Sequence, residues 1–429
     1  MFPVHGELEP RQRNAGSLLM PKERIHRFEY GGRRFAIDPE TCFCFECDDV
    51  SWDVLEYYPV ESVTRILHEL KEKHNTREIK EVISELEWLR ATKSILPHQP
   101  PDKFIRQFEL EKGVRHLTVR LPKTSTAETA ATRKWFGKNR TVESGNSVQD
   151  FGLSALEMLI GRSLDQKDLS LIFLETGSVQ NTAGVAALAN RAFRLAALSG
   201  KTIRVGVELE KPTLSGLPRP IFGHRLRLTL YFISKTEVAD VLRPLEQPFS
   251  LEQVLRLFKR EGVEGIVIVQ PESPDFQDTI PELVNMGFDH IEVDLDGTFV
   301  KNPSLQPADL MPALESIGRF YAERLQAGKY FRLEPFAGLF YRIYEGKPVS
   351  RTDPAGLHEL AIDAAGTLYP GRRFMENPLY ATGLLHEGNI DENKLAPFNN
   401  VGALTTGVCR RCWARNLCGG GNAAVHAAL

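Results

Sequence analysis

The chain has 429 residues and a net charge of −3, with a pI near 6.4. That balance gives no basic footprint for nucleic acid or an anionic membrane. Its hydrophobic content of 42% is ordinary for a globular protein, the length suffices for two or three domains, and no apolar run reaches bilayer-spanning length.

In chain order, residues Met1 to Arg24 are polar, broken by Pro3, Pro10 and Pro21, and lack the apolar core of a signal peptide. They read as a flexible tail. A small module is predicted over 25–100. Arg27–Asp38 alternates apolar and polar residues around Gly31-Gly32, which predicts a β-hairpin, and another strand follows near Thr41–Cys47. Val63, Ile66, Leu67 and Leu70 form one helical stripe; Ile79, Val82, Ile83, Leu86 and Leu89 form a second, with Thr76 as the expected N-cap. A short strand at Ser94–Leu96 is expected before the proline-broken linker Pro97-His-Gln-Pro100-Pro101. Strands plus a helix pair of this size describe a winged-helix-like unit. Its helices carry as many acidic as basic residues, so peptide docking along a sheet edge suits it better than DNA binding.

From 110 to 330 strands and helices alternate. Strands are predicted at Arg115–Leu121, Leu169–Leu174, Ile203–Leu209, Arg225–Ile233, Gly265–Val269 and His290–Leu295. Helices are predicted at Gly152–Ile160, Gly184–Leu198, Leu251–Arg260, Thr279–Met286 and Pro307–Gln326. Such alternation implies parallel strands with crossover helices, an α/β sheet or a full or partial barrel. The pattern fails around Arg332–Gly346, and 331–429 is turn-rich, with a short strand at His358–Asp363.

Chemistry-bearing residues are sparse. The six cysteines fall in two trios, an arrangement unlike a secreted disulfide framework and consistent with a cytoplasmic protein whose thiols are open to metals. Cys409, Cys412 and Cys418 sit beside Gly419-Gly-Gly421, a spacing suited to an iron–sulfur cluster, or to zinc with His426 as fourth ligand; inert thiols in a glycine-rich turn are the alternative. Cys42, Cys44 and Cys47 read better as small buried apolar groups than as a second metal site. Asp289, Glu292, Asp294 and Asp296 surround the last predicted strand, and Glu208 and Glu210 another strand end; turn chemistry and solvation account for such carboxylates more readily than catalysis.

Together, the segments His358–Gly371 (HELAIDAAGTLYPG) and Cys409–Asn422, in this order after an α/β repeat, resemble the radical SAM/SPASM peptide maturases, among them enzymes that form thioether crosslinks in Cys-rich peptides. The resemblance implies a partial (β/α)6 barrel of radical SAM type, an N-terminal winged-helix-like peptide-recognition module and a C-terminal SPASM-like Cys-rich domain, truncated here. It also implies where chemistry has been lost. The family's C-x3-C-x2-C cluster motif would follow the first barrel strand, where Ser125, Thr129 and Thr132 keep the spacing without a thiol. No cysteine lies between Cys47 and Cys409, and neutral hydroxyls do not replace thiolates on soft iron.

The family's GGEP turn corresponds to Phe173-Leu-Glu175-Thr-Gly177-Ser, which keeps one glycine and one carboxylate. The cysteine after Leu-Tyr-Pro is Gly371, its expected partner near Asp353–Gly356 is missing, the fourth tail cysteine is Asn422, and the last would fall beyond residue 429. S-adenosylmethionine binding is therefore not expected. The leading expectation is a pseudoenzyme that holds the leader of a ribosomally made precursor peptide and serves an active radical SAM paralogue. The rivals are an enzyme using only the C-terminal metal site and a structural scaffold.

Overall fold

The computed structural model describes residues 25–96, 113–122, 147–176, 182–210, 227–232, 265–271, 274–302, 304–399, 401–403, 405, 407 and 409–428. Contacts divide the chain into two units. The first takes residues up to 108 with 338–353 and 400–422; the second takes 109–337, 354–399 and 423–429. The region 331–429 is thus shared between them.

The first unit is built on a three-stranded antiparallel sheet in the order β1 (His26–Tyr30), β2 (Arg33–Ile37), β3 (Cys44–Cys47). Gly31 and Gly32 at φ 60° and 75° form the tight turn between β1 and β2. This is the primed geometry whose twist matches the strands, and two glycines adopt it without strain. Helices α1 (Asp49–Tyr57), α2 (Val63–Leu70) and α3 (Thr76–Ala91) follow. Each is opened by a side-chain cap: Asp48 accepts from the Ser51 amide at 2.7 Å, Ser62 from Arg65 at 3.3 Å and Asn75 from Arg77 at 2.8 Å.

The cap of α3 is therefore Asn75, not Thr76. The Asn75 side-chain oxygen, one residue upstream, accepts from the Arg77 amide, and Thr76 begins the helix. Ile66, Leu70, Ile79, Ile83 and Leu86 close on Val54, Leu55 and Ala36 as a buried core. Burial of each such side chain contributes about 1.5–3 kcal/mol. The strand expected at 94–96 is absent: Ile95 and Leu96 tuck into this core, and the Leu96 amide donates to the buried Asp38 carboxylate rather than to a ladder.

The later segments of this unit return to the same sheet. In the helix Phe336–Glu345, Leu339 and Ile343 pack on Ile37, Cys42 and Leu417. The Asn416 side-chain amide donates to the Pro39 carbonyl at 2.9 Å, Arg415 pairs with Glu40, and the Val349 amide donates to the Asn416 carbonyl at 2.8 Å.

The second unit is an 11-stranded mixed sheet ordered β10-β9-β8-β7-β6-β5-β4-β11-β12-β13-β14. Its strands are β4 (His116–Arg120), β5 (Asp168–Thr176), β6 (Thr202–Glu210), β7 (Arg227–Phe232), β8 (Gly265–Val269), β9 (His290–Val293) and β10 (Arg332–Glu334), then β11 (Glu359–Ile362), β12 (Thr367–Tyr369), β13 (Gly383–Leu384) and β14 (Asn389–Ile390). From β4 to β10 the strands are parallel and in chain order, the order that a crossover between each strand and the next produces. Beyond the six strands expected, β10 extends this run, and β11 joins the far side parallel to β4. The remaining strands form an antiparallel meander.

The crossover helices are α4 (Ser147–Arg162), α5 (Thr182–Leu198), α6 (Thr279–Asn285), α7 (Leu295–Lys301) and α8 (Pro307–Gln326). One core runs beneath them, through Leu117, Leu171, Phe173, Val205, Val267 and Ile291. The helix expected at Leu251–Arg260 lies outside the described residues. Among the described residues no helix is long and apolar enough to cross a membrane.

Candidate functional site

In parallel sheets, ligands bind beyond the carboxyl ends of the strands. In the second unit those ends carry a polar cluster built from Glu208 of β6, Gln270 after β8 and Asp294 after β9. All three are nearly inaccessible, at 3%, 1% and 7% exposure. Two adjacent arginines reach them from the turn after β12. Arg372 pairs with Glu208, and Arg373 forks onto Asp294 at 2.6 and 3.2 Å. Buried charge is tolerable only when it is paired; Arg373 adds two charge-assisted hydrogen bonds to Asp294, and Arg372 offsets Glu208 as an ion pair.

The approach is set locally. Asp363 folds the β11–β12 turn by accepting from the Ala365 and Thr367 amides, each at 2.9 Å. Gly371 then begins the turn Arg372–Phe374, and the Arg372 amide donates to Glu359 at 3.1 Å. Asp294 has a second duty as N-cap of α7, accepting from the Gly297 amide at 2.9 Å. A Cβ on Gly297 would lie 2.1 Å from Asp294 Oδ2 and 2.6 Å from Gln270 Nε2, so only glycine lets these groups nest against the helix turn.

The sequence marked Glu208 and Asp294 as bland carboxylates; it missed their arginine partners, whose signal is the Arg-Arg pair directly after Leu-Tyr-Pro-Gly. Asp289 offers its carbonyl to the Arg332 amide at 2.7 Å, Glu292 lies on β9 opposite Glu334, and Asp296 stands in the first turn of α7. Glu175 and Glu210 lie in β5 and β6. Ser125, Thr129, Thr132 and Gly177 lie outside the described residues.

The first unit carries both cysteine trios, and all six thiols are free. Cys42 is buried with Ile37 and Leu417, and burial, with the Asp38 charge beside it, pushes its thiol up to about 12. Burial likewise pushes Cys47 up to about 11 and raises Cys44. Such thiols stay protonated at neutral pH and act as small apolar side chains.

In the tail, Cys409 opens the short turn Cys409–Arg411, and Cys418 closes the helix Arg415–Cys418. Burial raises the Cys409 thiol, and the nearby Cys418 and Cys412 add to the shift, so the three sulfurs share one loop. Among the described residues, however, no three His, Cys, Asp or Glu side chains are grouped closely enough to hold a metal ion. His426 belongs to the helix Ala423–Ala428 of the second unit.

The glycine run also serves the backbone. Gly419, Gly420 and Gly421 all have left-handed φ, at 73°, 91° and 78°. A Cβ on Gly419 would lie 2.8 Å from the Thr352 amide nitrogen, and one on Gly420 2.3 Å from that of Ala403. Without a Cβ at these positions, main chain can cross main chain. Beside it, Trp413 stacks on His26 of β1 at 4.1 Å and 7°.

No protein-family model matches this sequence, and no curated protein matches it. The structure is similar to that of anSMEcpe with bound AdoMet, at 14% identity over 71% of this chain and 84% of that one, with a TM-score of 0.48. It is similar to SuiB of Streptococcus suis bound to precursor peptide SuiA, at 11% identity over 91% and 94%, with a TM-score of 0.42. It is also similar to coproporphyrinogen III oxidase (HemN) from Escherichia coli, a radical SAM enzyme, at 17% identity over 63% and 68%, with a TM-score of 0.32. At TM-scores below 0.5 these likenesses carry neither fold nor function to this chain.

Proposed function

We propose that this chain is a catalytically degenerate relative of the radical SAM/SPASM peptide maturases. It binds the leader of a precursor peptide and assists an active paralogue in the cytoplasm. In this reading the parallel strands form a partial (β/α)6 barrel of radical SAM type. Residues 25–100 are a winged-helix-like peptide-recognition module, and 331–429 a SPASM-like domain.

The observation that carries the reading is the donor set. With no cysteine between Cys47 and Cys409, the parallel sheet and its loops supply no thiolate, and the hydroxyls of Ser125, Thr129 and Thr132 are poor ligands for soft iron. A barrel-bound [4Fe–4S] cluster does not fit such residues. The pairing of Glu208 and Asp294 with Arg372 and Arg373 further supports strand ends stabilised as structure. Cys409, Cys412 and Cys418 remain the candidate ligands for an iron–sulfur cluster or zinc; their side chains would first have to converge.

Two measurements test the reading. Air-free incubation with S-adenosylmethionine and a strong reductant is expected to yield no 5′-deoxyadenosine, and turnover would end the pseudoenzyme claim. Pull-down with a Cys-rich precursor peptide encoded nearby and with an intact paralogue is expected to recover at least one of them. Recovery of neither would end the accessory role.

A further inference from the structure

A cavity of about 510 Å³ opens within the first unit, inside the range of about 300–1,000 Å³ usual for ligand pockets. Phe43 and Tyr344 give it aromatic walls, and Ile343 and Pro348 aliphatic ones. Tyr344 is 77% exposed, and Phe340, one helical turn back, is 61% exposed. Their rings stack with centroids 6.1 Å apart and planes at 13°. A stacked aromatic pair left in water adds little to folding and suits recognition.

The charges around the cavity are unequal. Glu40 is held by Arg415 and Glu345 by Lys347. Lys93, also in the wall, has no ion-pair partner among the described residues. Its backbone is left-handed, at φ 63°, where the chain leaves α3. There the Lys93 amide donates to Arg90 at 3.0 Å and the Ser94 amide to Leu89 at 2.9 Å. Glycine is the ordinary residue at such a helix end, and a lysine strains it. A cation kept at a strained position in the wall of an aromatic-lined cavity calls for an anionic partner.

We propose that this cavity docks an acidic peptide segment, with a carboxylate on Lys93 and a neighbouring leucine or phenylalanine side chain between Phe43 and Tyr344. The inference rests on the peptide-binding reading above and names the chemistry of the segment bound.

Fluorescence anisotropy with the full chain tests it, using a labelled peptide Gly-Leu-Glu-Phe-Glu-Leu-Gly and its twin with Gln for Glu. The wild type is expected to bind the acidic peptide about tenfold tighter than the twin, a gap that a charge-assisted hydrogen bond supplies. Lys93→Gly is expected to raise the melting temperature by relieving strain, yet to erase that gap. Tyr344→Ala is expected to weaken both peptides.

Equal binding of the two peptides, or a gap that survives Lys93→Gly, would overturn the proposal. A precursor peptide whose affinity is unchanged by both variants would overturn the pocket while sparing the broader function. Selective acidic-peptide binding without any precursor or paralogue binding would support the pocket and end the broader function.

Discussion

Arg373 grips Asp294 with both arms of its guanidinium, at 2.6 and 3.2 Å, across 79 residues of sequence. The same carboxylate caps α7, so one side chain ties the turn after β12 to the end of β9. Arg372 repeats the tie one residue earlier, onto Glu208.

Arg373→Ala is expected to destabilise the chain by about 2–3 kcal/mol, read as a lower urea midpoint. That lies below the about 3–5 kcal/mol for breaking a fully buried pair, because Arg373 is 29% exposed. Arg373→Lys should recover only part of the loss, since a point charge does not reproduce the fork. An unchanged midpoint in the alanine variant would show that the pair contributes nothing.

Gly297→Ala tests the nesting behind that pair. The added Cβ must displace Asp294 or Gln270, so the arginine fork should loosen with it. In a double-mutant cycle with Arg373→Ala the two losses are expected to fall short of additivity, because both act on one carboxylate. Full additivity would mean that they are independent.

The α3 cap separates two neighbouring residues. Asn75→Ala should cost about 1 kcal/mol through loss of the bond to the Arg77 amide. Thr76→Ala should be near neutral or slightly stabilising, since alanine is the better helix former. The reverse order of thermal midpoints would return the cap to Thr76.

Alkaline stability should track the buried thiols. Folding holds the Cys42 and Cys47 protons up to about 12 and about 11, above the ordinary thiol value of 9.0. Between pH 9 and 11 the unfolded chain therefore binds fewer protons than the native one, and unfolding becomes easier as pH rises. A Cys42→Ala, Cys47→Ala double variant is expected to flatten this slope relative to its own stability at pH 7. In native protein at pH 8 a thiol reagent should reach exposed Cys418 first, and Cys42 only on unfolding.

The stack of His26 on Trp413 predicts an acid-side signal. Burial lowers the His26 pKa from 6.5, so the native protein resists the proton that the unfolded chain accepts. The contribution is present above pH 6.5 and fades as pH falls through the lowered native value. Trp413 fluorescence should change over that window in the wild type and stay flat in His26→Ala.

Periodic, capped segments could be read from the sequence. Gly265–Val269 and Pro307–Gln326 match the predicted bounds at both ends. In the second, Pro307 opens the helix, and the Asp309 carboxylate reaches back to accept from the Gln306 amide at 2.9 Å. By contrast, α1 escaped notice because its two buried side chains, Val54 and Leu55, are adjacent and make no helical stripe. β10 is too short, at three residues, to show alternation. The arginine ties and the return of 400–422 to the N-terminal sheet link residues far apart in sequence, and no local pattern encodes them. Cys47 was readable because a strand beside a helix pair has an inner face to fill, whereas Cys42 lies ahead of β3 with a left-handed φ of 61° and is buried against Ile37 and Leu417, a contact no local pattern encodes.

The three left-handed glycines after Cys418 also bear on how such tails are interpreted. Because bare backbone at 419–420 abuts the chain at 351–352 and 402–403, the run would be demanded even in a protein that never met a metal. A related sequence that keeps this Gly-Gly-Gly while shedding its thiols would therefore report an intact chain crossing, and says nothing about whether a metal was ever bound there.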